Sequence, residues 1–320
     1  MNEKIGIFRD KKIAILGATG HLAKGLIYNF SQIDTNNIFL FARSLERLEN
    51  FLAHVNFNHY FHKYNLNEFN NYNFDVIINC VGLGTPLKVK EAGNEVFRLT
   101  ETFDNMILQY LLNHPNTIYI NFSSGAVYGA SFITPVDELA LAKWNINRIS
   151  ESDYYGIAKL NSEAKHRAMK SFNIVDLRIF GYFSRFIDLS AKYLLCEIIS
   201  CIKSGADFAT DQKNIMRDYI HPKDLFLLIE NCVAKKNIND AFDAYSLKPV
   251  KKFEILDYFK TECGLKYSIR DNVDVSSITG EKDAYYSNNK RAQEVGYSPN
   301  FSSLDCIIEE ARPLLVNSLS

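Results

Sequence analysis

Short apolar runs, each closed by a glycine or a polar turn, recur along the first half of the chain and are typical of buried parallel strands. They cover residues 12–16, 38–42, 75–81, 118–122 and 174–179, with a weaker run at 59–64. Segments of helical spacing lie between them, at 24–31, from Ser44 onward, at 94–112 and at 154–171. This alternation predicts an α/β fold, a doubly wound parallel sheet with helices on both faces.

The alternation loosens after Gly181, where the pattern predicts helices at 191–203, 224–233, 253–263 and 304–314 and a late strand at 242–247. We therefore expect two lobes. Residues 1–181 form the doubly wound domain, and residues 182–320 form mainly a smaller C-terminal α/β lobe over the carboxyl ends of the strands. The lobes interleave, since the segment from about 218 to 248 is expected to return to the first domain.

Composition narrows the class of protein. With 320 residues, 47% of them hydrophobic, the chain is long enough to bury a large core. A net charge of −1 disfavours nucleic acid as a partner. Neither a membrane span nor the apolar core of a signal peptide is visible, so we expect no membrane association. The six scattered cysteines lack zinc-ligand spacing and predict reduced thiols in a cytoplasmic protein without a metal site.

The first apolar run ends in a glycine turn, Gly17-x-x-Gly20-x-x-Ala23, which opens the first helix. The first glycine permits a tight turn, and the second lets the backbone approach a pyrophosphate at the helix N-terminus. The small Ala23 allows the helix to pack closely on the strand. The turn predicts a dinucleotide site, and an ordinary strand–turn–helix connection is the alternative.

Arg43 stands just past the second strand, where dinucleotide-binding folds contact the adenosine ribose. An acidic residue there binds the 2′-hydroxyl of NAD, whereas an arginine accommodates the 2′-phosphate of NADP. Phe41 and Ala42 supply no acid, so the sequence favours NADP, with NAD as the alternative. A surface arginine paired with Glu46 or Glu49 is the other interpretation.

Tyr155 and Lys159 lie four residues apart, on one face of a predicted helix. An ammonium group beside a phenol favours the phenolate, and so lowers the pKa of the tyrosine from its reference value of about 10. A tyrosine tuned in this way transfers protons at neutral pH. The spacing alone is weak, because it also arises by chance on surface helices.

Three features occur together in this chain: Gly17-Ala18-Thr19-Gly20, Ser124 and Tyr155-x-x-x-Lys159. In this combination the chain resembles the extended short-chain dehydrogenase/reductases. The resemblance is to their nucleotide-sugar branch, which holds epimerases, dehydratases and keto-sugar reductases. Segments 122–129, 177–180, 217–225 and 290–299 also match that branch. The resemblance implies a Rossmann domain with bound NAD(P) and a nucleotide-sugar substrate. It also implies a homodimer, in which the helices at 94–112 and 154–171 pair with those of a second copy.

By this resemblance, Tyr155 is the general acid/base at a sugar oxygen, and Ser124 hydrogen-bonds the same oxygen. Lys159 would hold the nicotinamide ribose, and Arg217 would contact the substrate diphosphate. Ser123 is the nearest rival of Ser124, and a structural pair with Asp218 or Asp224 is the alternative for Arg217. The expected cofactor site comprises Gly17, Thr19, Gly20, His21, Leu22, Arg43, Asn65, Leu66, Cys80, Val81, Gly82, Ser123, Tyr155, Lys159 and Phe180.

The chain also departs from the branch pattern. Dehydratases carry an acidic pair where this chain has Gly125-Ala126, so 4,6-dehydration is not expected. Gly181 replaces an asparagine near the substrate diphosphate. Asn65 replaces an aspartate that meets the adenine, although an amide also makes that contact.

These features favour an NADP-dependent reductase of a keto nucleotide-sugar, with Tyr155 as general acid. The alternative is a nucleotide-sugar 4-epimerase that retains its NAD(P) and uses Tyr155 in both directions. A non-catalytic NADP-binding regulator is a third possibility, which the presence of Ser124, Tyr155 and Lys159 disfavours. The choice of sugar is expected to depend on the segments 184–217 and 249–286.

Overall fold

The computed structural model describes residues 5–55, 57, 59–83, 86–129, 131–235, 237–270 and 282–316. Part of the second predicted specificity segment, residues 271–281, lies outside the described residues.

The strands are β1 (Ile13–Leu16), β2 (Ile38–Ala42), β3 (His62–Asn65), β4 (Val76–Asn79), β5 (Ile118–Ser124), β6 (Asn173–Ile179), β7 (Asp207–Thr210), β8 (Met216–Arg217), β9 (Asn239–Ala244), β10 (Val250–Lys251), β11 (Lys266–Ile269) and β12 (Ala284–Tyr285). The α-helices are α1 (His21–Phe30), α2 (Leu45–Val55), α3 (Pro86–Ala92), α4 (Glu95–Asn113), α5 (Glu151–Ala168), α6 (Leu194–Ser204), α7 (Pro222–Ala234), α8 (Lys252–Cys263) and α9 (Ser303–Val316).

Seven strands form one sheet in the order β3-β2-β1-β4-β5-β6-β9. Every neighbouring pair in it is parallel. Helices cover both faces of the sheet, so its central strands read as continuous apolar runs, and β1, β2 and β4 are buried along their whole length. The doubly wound α/β prediction is confirmed. The strand order reverses between β1 and β4, which is where such sheets bind ligands at their carboxyl edge.

The remaining strands form two small sheets, β11-β7 and β10-β8-β12. The sequence analysis missed these strands, and three of them are only two residues long, too short to show any alternation of apolar and polar residues. The helix α3 was missed as well. A separate apolar cluster, which includes Phe183, Leu195, Leu256 and Phe259, forms the core of the C-terminal segment.

Several predicted boundaries need correction by up to three residues, among them the starts of α1 at His21 and of α6 at Leu194. The late strand runs from Asn239 to Ala244 instead of 242–247, because polar residues at its start continue the ladder with β6. The helix that carries Tyr155 begins at Glu151, three residues earlier than expected. Its start is fixed by Asp153, whose carboxylate accepts a hydrogen bond from the Ser150 N–H at 2.8 Å.

None of the helices in the described part of the chain is long and apolar enough to cross a membrane.

Candidate active site

The glycine turn between β1 and α1 is shaped for close approach of a ligand to the backbone. Gly17 has a φ of +74°, and a Cβ there would lie 3.0 Å from the backbone of Cys80 and Val81. The Gly20 N–H donates to the Gly17 carbonyl at 2.8 Å, which closes the turn. Gly20 is also the N-cap of α1 and provides no side-chain cap. The N–H groups and dipole of the first turn of α1 therefore fit a pyrophosphate.

Other expected cofactor residues lie along the same edge of the sheet, because the carboxyl ends of parallel strands meet there. Arg43 directly follows β2 and is exposed. Asn65 ends β3, with Leu66 after it, and Cys80-Val81-Gly82 follow β4. The carboxylate of Glu49, one of the alternative partners of Arg43, accepts a hydrogen bond from Lys63 at 2.9 Å.

His21, the first residue of α1, directs its ring away from the turn. Its Nε2 lies 2.9 Å from the Ser184 hydroxyl, and its ring meets the Tyr182 ring edge-on at 4.9 Å. Burial lowers the pKa of His21 to about 4, so the ring is neutral at physiological pH. The side chain therefore ties α1 to the segment after β6.

Tyr155 and Lys159 share one face of α5. A Cβ at Gly156 would overlap the Ala126 carbonyl, so this glycine allows α5 to approach the turn after β5. Lys159 is 6% exposed, and its Nζ donates to the Phe122 carbonyl at 2.8 Å and lies 6.0 Å from the centre of the Tyr155 ring. The ammonium group is thus held against the end of β5 beside the phenol. Tyr154, in contrast, packs against Phe97 of α4 at 5.5 Å.

The two serines that end β5 point to opposite faces of the sheet. The Ser123 hydroxyl donates to Glu163 at 2.6 Å, and Glu163 in turn binds Arg178. The Ser124 hydroxyl accepts a hydrogen bond from the Ala126 N–H at 3.2 Å and also contacts the Tyr285 hydroxyl at 3.2 Å. Ser124 therefore belongs to the cleft that Tyr155 borders, whereas the side chain of Ser123 belongs to a buried polar network.

The space beside Gly125 is filled by Phe180, the residue that follows β6. A Cβ at Gly125 would overlap the Phe180 ring. This ring is buried and packs against Tyr285 at 5.2 Å and Phe132 at 6.4 Å. The site thus has a hydrophobic wall where dehydratases of the resembled branch have an acidic residue.

Arg217 lies at the end of β8, directly opposite Tyr285 of β12. Its guanidinium donates to its neighbour's carbonyl, that of Met216, at 2.8 Å, and burial lowers its pKa. Asp218 accepts hydrogen bonds from Ser246 and Ser303, and Asp224 accepts from Asn300 and Phe301. The acids proposed as structural partners of Arg217 are therefore engaged elsewhere.

Sequence reasoning missed two residues that line this cleft, Tyr285 and Lys282. The Lys282 ammonium lies 4.2 Å from the centre of the Tyr285 ring. Burial and the charge of Arg217 lower the pKa of Lys282 to about 8. Both residues fall inside the segment 249–286 on which the choice of sugar is expected to depend, but the sequence singled out neither of them.

His221, Glu309 and Glu310 form a group whose potential metal-ligand atoms lie within 4.8 Å of one another. Glu310, however, binds the Arg185 guanidinium at 2.7 Å, and Glu309 binds the Lys223 ammonium at 2.5 Å. Nδ1 of His221 accepts a hydrogen bond from the Lys223 N–H at the start of α7. Because each carboxylate already neutralises a cation, we assign this group a structural role between α7 and α9.

The fold and the site define a class of protein, a doubly wound domain with a dinucleotide turn and a Ser-Tyr-Lys constellation at the carboxyl edge of its sheet. The profile of the NAD dependent epimerase/dehydratase family matches residues 13–245. The chain belongs to this family, which confirms the resemblance inferred from its motifs. A comparison with curated protein sequences gives no match.

Solved structures share the fold at low sequence identity. The UDP-glucuronic acid 4-epimerase from Bacillus cereus, in complex with UDP-glucuronic acid and NAD, is 17% identical, with a TM-score of 0.73 over 96% of this chain and 99% of its own. The UDP-glucose 4-epimerase from Stenotrophomonas maltophila, with bound NAD and formylated UDP-arabinopyranose, is 14% identical, with a TM-score of 0.78 over 97% and 99%. The dTDP-glucose 4,6-dehydratase from Bacillus anthracis, in complex with NAD, is 14% identical, with a TM-score of 0.72 over 94% and 95%.

Proposed function

We propose that this protein is a nucleotide-sugar 4-epimerase that keeps a bound NAD(P) through its reaction. The observation that carries the proposal is that the face of α5 with Tyr155 and Lys159 packs against the end of β5, where Lys159 donates to the Phe122 carbonyl and Gly156 lies against Ala126. Ser124 ends the same strand, and Phe180 fills the space beside Gly125. Such a site offers proton transfer at one sugar oxygen, and the position at which dehydratases carry an acid for the elimination of water is Gly125 here. Family membership and the 4-epimerases among the similar structures favour this reaction over the keto-sugar reduction that the sequence alone suggested.

Each residue has a defined task in the proposed reaction. Bound NAD(P) supplies reversible hydride exchange with the sugar carbon C4. Tyr155 takes the proton of the 4-hydroxyl as that carbon is oxidised and returns it to the oxygen after the sugar has presented its other face. Ser124 would hydrogen-bond the same oxygen, and the Lys159 ammonium, held beside the Tyr155 ring, would contact the nicotinamide ribose.

The chain has the parts needed to hold this cofactor and a nucleotide diphosphate. The Gly17–Gly20 turn and the start of α1 would bind the pyrophosphate of NAD(P), and Asn65 would meet the adenine. Arg217, half-buried and next to Tyr285, would bind the diphosphate of the substrate. The residues after 181 that do not join the main sheet would then form the substrate lobe.

A reductase is the second candidate, and Arg43 favours it. An exposed arginine after β2 suits the 2′-phosphate of NADP, the cofactor that a reductase would consume.

Incubation of the purified protein with UDP-hexoses, UDP-hexuronic acids and dTDP-hexoses, without added cofactor, tests the epimerase directly. NMR is expected to show inversion at C4 and no net cofactor turnover. Stoichiometric loss of NADPH absorbance with 4-keto nucleotide-sugars, and no inversion, would establish the reductase instead.

A matched pair of variants links the activity to the site. We expect Tyr155→Phe to lower kcat by about 10³-fold, within the range for loss of a general acid/base. Tyr154→Phe removes the neighbouring hydroxyl, on the ring that packs against Phe97, and is expected to leave kcat within about two-fold of wild type. Equal activity of Tyr155→Phe and wild type would contradict the proposed role.

We further propose a homodimer built from α4 and α5, as the family resemblance implies. Within one chain these helices are held together by polar contacts, Asn161 with Glu101 and Lys165 with Asn105, each at 2.7 Å. A fixed pair of helices of this kind offers a preformed half of a four-helix bundle. Light scattering at micromolar concentration is expected to give twice the chain mass, and a monomer would count against the proposal.

A further inference from the structure

Tyr285 links the two ends of the cleft. On the β8–β12 ladder it lies directly opposite Arg217, and its hydroxyl reaches across to Ser124 at 3.2 Å. It is 8% exposed, and no motif quoted from the sequence includes it. A buried tyrosine in contact with the serine of the active site therefore requires an explanation beyond packing.

The ring of Tyr285 is held from several sides. Phe132 meets it edge-on at 4.7 Å, and Phe180 packs against it at 5.2 Å. The Lys282 ammonium lies over the ring at 4.2 Å, and the Ala284 N–H donates to the Phe132 carbonyl at 2.9 Å. Because its neighbours fix the ring, the position of the hydroxyl is fixed as well, and little conformational entropy is lost when it makes a hydrogen bond.

The number of hydrogen bonds that each hydroxyl can make decides which of the two donates and which accepts. A serine hydroxyl has one proton to donate and two lone pairs that accept. Ser124 already accepts from the Ala126 N–H at 3.2 Å. Burial raises the pKa of Tyr285, so its hydroxyl keeps its proton and remains a donor at neutral pH. If Tyr285 donates to Ser124, both lone pairs of Ser124 are used and its single proton is left for a third partner.

We propose that Tyr285 is a positioning residue that donates to Ser124 and thereby directs the Ser124 proton onto the reacting sugar oxygen. This inference rests on the proposed function, since the third partner is the oxygen at which Tyr155 exchanges its proton. With Tyr285 and Ala126 as donors, Ser124 cannot act as an acceptor from the sugar hydroxyl. Its fixed donor role leaves Tyr155 as the acceptor of the sugar proton and stabilises negative charge that develops on that oxygen.

The test is a double-mutant cycle between Ser124 and Tyr285, measured with a nucleotide-sugar that the wild-type protein epimerises. Tyr285→Phe removes only the hydroxyl. It is expected to lower kcat by about 10-fold with KM within about two-fold of wild type, because a donor that acts on the transition state is weakened. In a Ser124→Ala background, Tyr285→Phe is expected to have no further effect on kcat, since the group through which it acts is gone.

The neighbouring Tyr286→Phe is the matched control and is expected to behave as wild type in kcat, KM and Tm. Independent, multiplicative losses of kcat in the double mutant, or an unchanged kcat in Tyr285→Phe, would overturn the inference. Such a result leaves the proposed function intact as long as the wild-type protein inverts its substrate. Absence of inversion by the wild-type protein with the whole substrate set would instead reject the proposed function.

Discussion

The hydroxyl of Ser123 donates a hydrogen bond to Glu163 of α5 at 2.6 Å. Glu163 also accepts from the Arg178 guanidinium at 2.6 Å, and Arg178 donates to the Tyr128 hydroxyl at 2.6 Å. This contact gives two adjacent serines different surroundings. Side chains alternate along a strand. Because the Ser123 side chain points toward α5, the Ser124 side chain points to the opposite side, toward the cleft.

Replacement of each serine by alanine is expected to separate stability from catalysis. Ser123→Ala removes a buried hydrogen bond to a charged acceptor, and we expect it to lower the free energy of unfolding by about 1.5–3 kcal/mol with kcat nearly unchanged. Ser124→Ala is expected to lower kcat by about 10²-fold and the free energy of unfolding by about 1–2 kcal/mol, because two neutral hydrogen bonds are lost. Urea unfolding curves and steady-state kinetics on both variants provide the measurement. The reverse pattern, with the larger kcat loss in Ser123→Ala, would contradict the assignment.

Gly125→Asp is expected to destabilise the protein and to produce no dehydratase. The new side chain would collide with the buried ring of Phe180 and place a carboxylate in an apolar wall. We expect a loss of about 3 kcal/mol or more in unfolding free energy, from overpacking and from an unpaired buried charge. Thermal unfolding measures the loss, and an assay for 4-keto-6-deoxy sugar measures dehydration.

Gly6→Asp is a suitable control, because a Cβ at Gly6 has nothing within 4 Å. It is expected to unfold at nearly the wild-type temperature. A stable Gly125→Asp protein would show that Phe180 moves aside, and that the apolar wall does not exclude an acid from this position.

The sequence analysis located the main sheet well because its strands are buried apolar runs that end in recognisable turns. It also placed Gly17, Ser124, Tyr155 and Lys159 at the carboxyl edge, since each follows or faces the end of a parallel strand. It could not find Tyr285, because β12 has two residues and its partner strand β8 lies some seventy residues earlier in the chain. The close packing of Phe180 against Gly125 was equally hidden from the sequence, because it depends on where the residue after β6 places its ring.

Arg43 is expected to set the preference between the two cofactors. Arg43→Glu would place a negative charge where the 2′-phosphate of NADP is expected to lie, and so weaken NADP binding by about 10²-fold with little change for NAD. Calorimetric titration of cofactor-free protein with NADPH and NADH gives both affinities. Arg47→Ala, an exposed substitution on α2, is the charge control. Equal weakening of both cofactors, or of neither, would show that Arg43 does not contact the 2′-phosphate.

The contribution of His166, a buried histidine of α5, to protein stability is expected to fall as the pH rises above about 6.5. His166 lies 2.7 Å from Asp104 and 2.9 Å from Asp176. Burial alone would lower its pKa, but the charge of Asp176 and the hydrogen bond to Asp104 outweigh burial and raise the pKa to about 9. Burial opposes ionisation of Asp104 too, yet the hydrogen bond and charge of His166 lower that pKa to about 2.

The direction of the pH dependence follows from these shifts. Folding raises the pKa of His166, so His166 contributes stability that is fully present below its unfolded pKa of 6.5. This contribution disappears as the pH rises through about 9. The Asp104 contribution is present above its ordinary pKa of 3.8 and disappears as the pH falls toward 2. Between pH 6.5 and 9.5 we expect the contribution of His166 to the unfolding free energy, taken as the difference between wild type and His166→Gln, to drop by an amount on the order of 3 kcal/mol.

Urea unfolding at intervals across that range measures the drop, and His166→Gln identifies its source. The variant is expected to be less stable at pH 6. It is also expected to lose the part of the fall in unfolding free energy between pH 6.5 and 9.5 that His166 causes, because glutamine does not titrate. His54→Gln, at an exposed position on α2, is expected to keep the wild-type slope. A pH dependence of the unfolding free energy that is the same in His166→Gln as in wild type would remove His166 as the charged centre of this network.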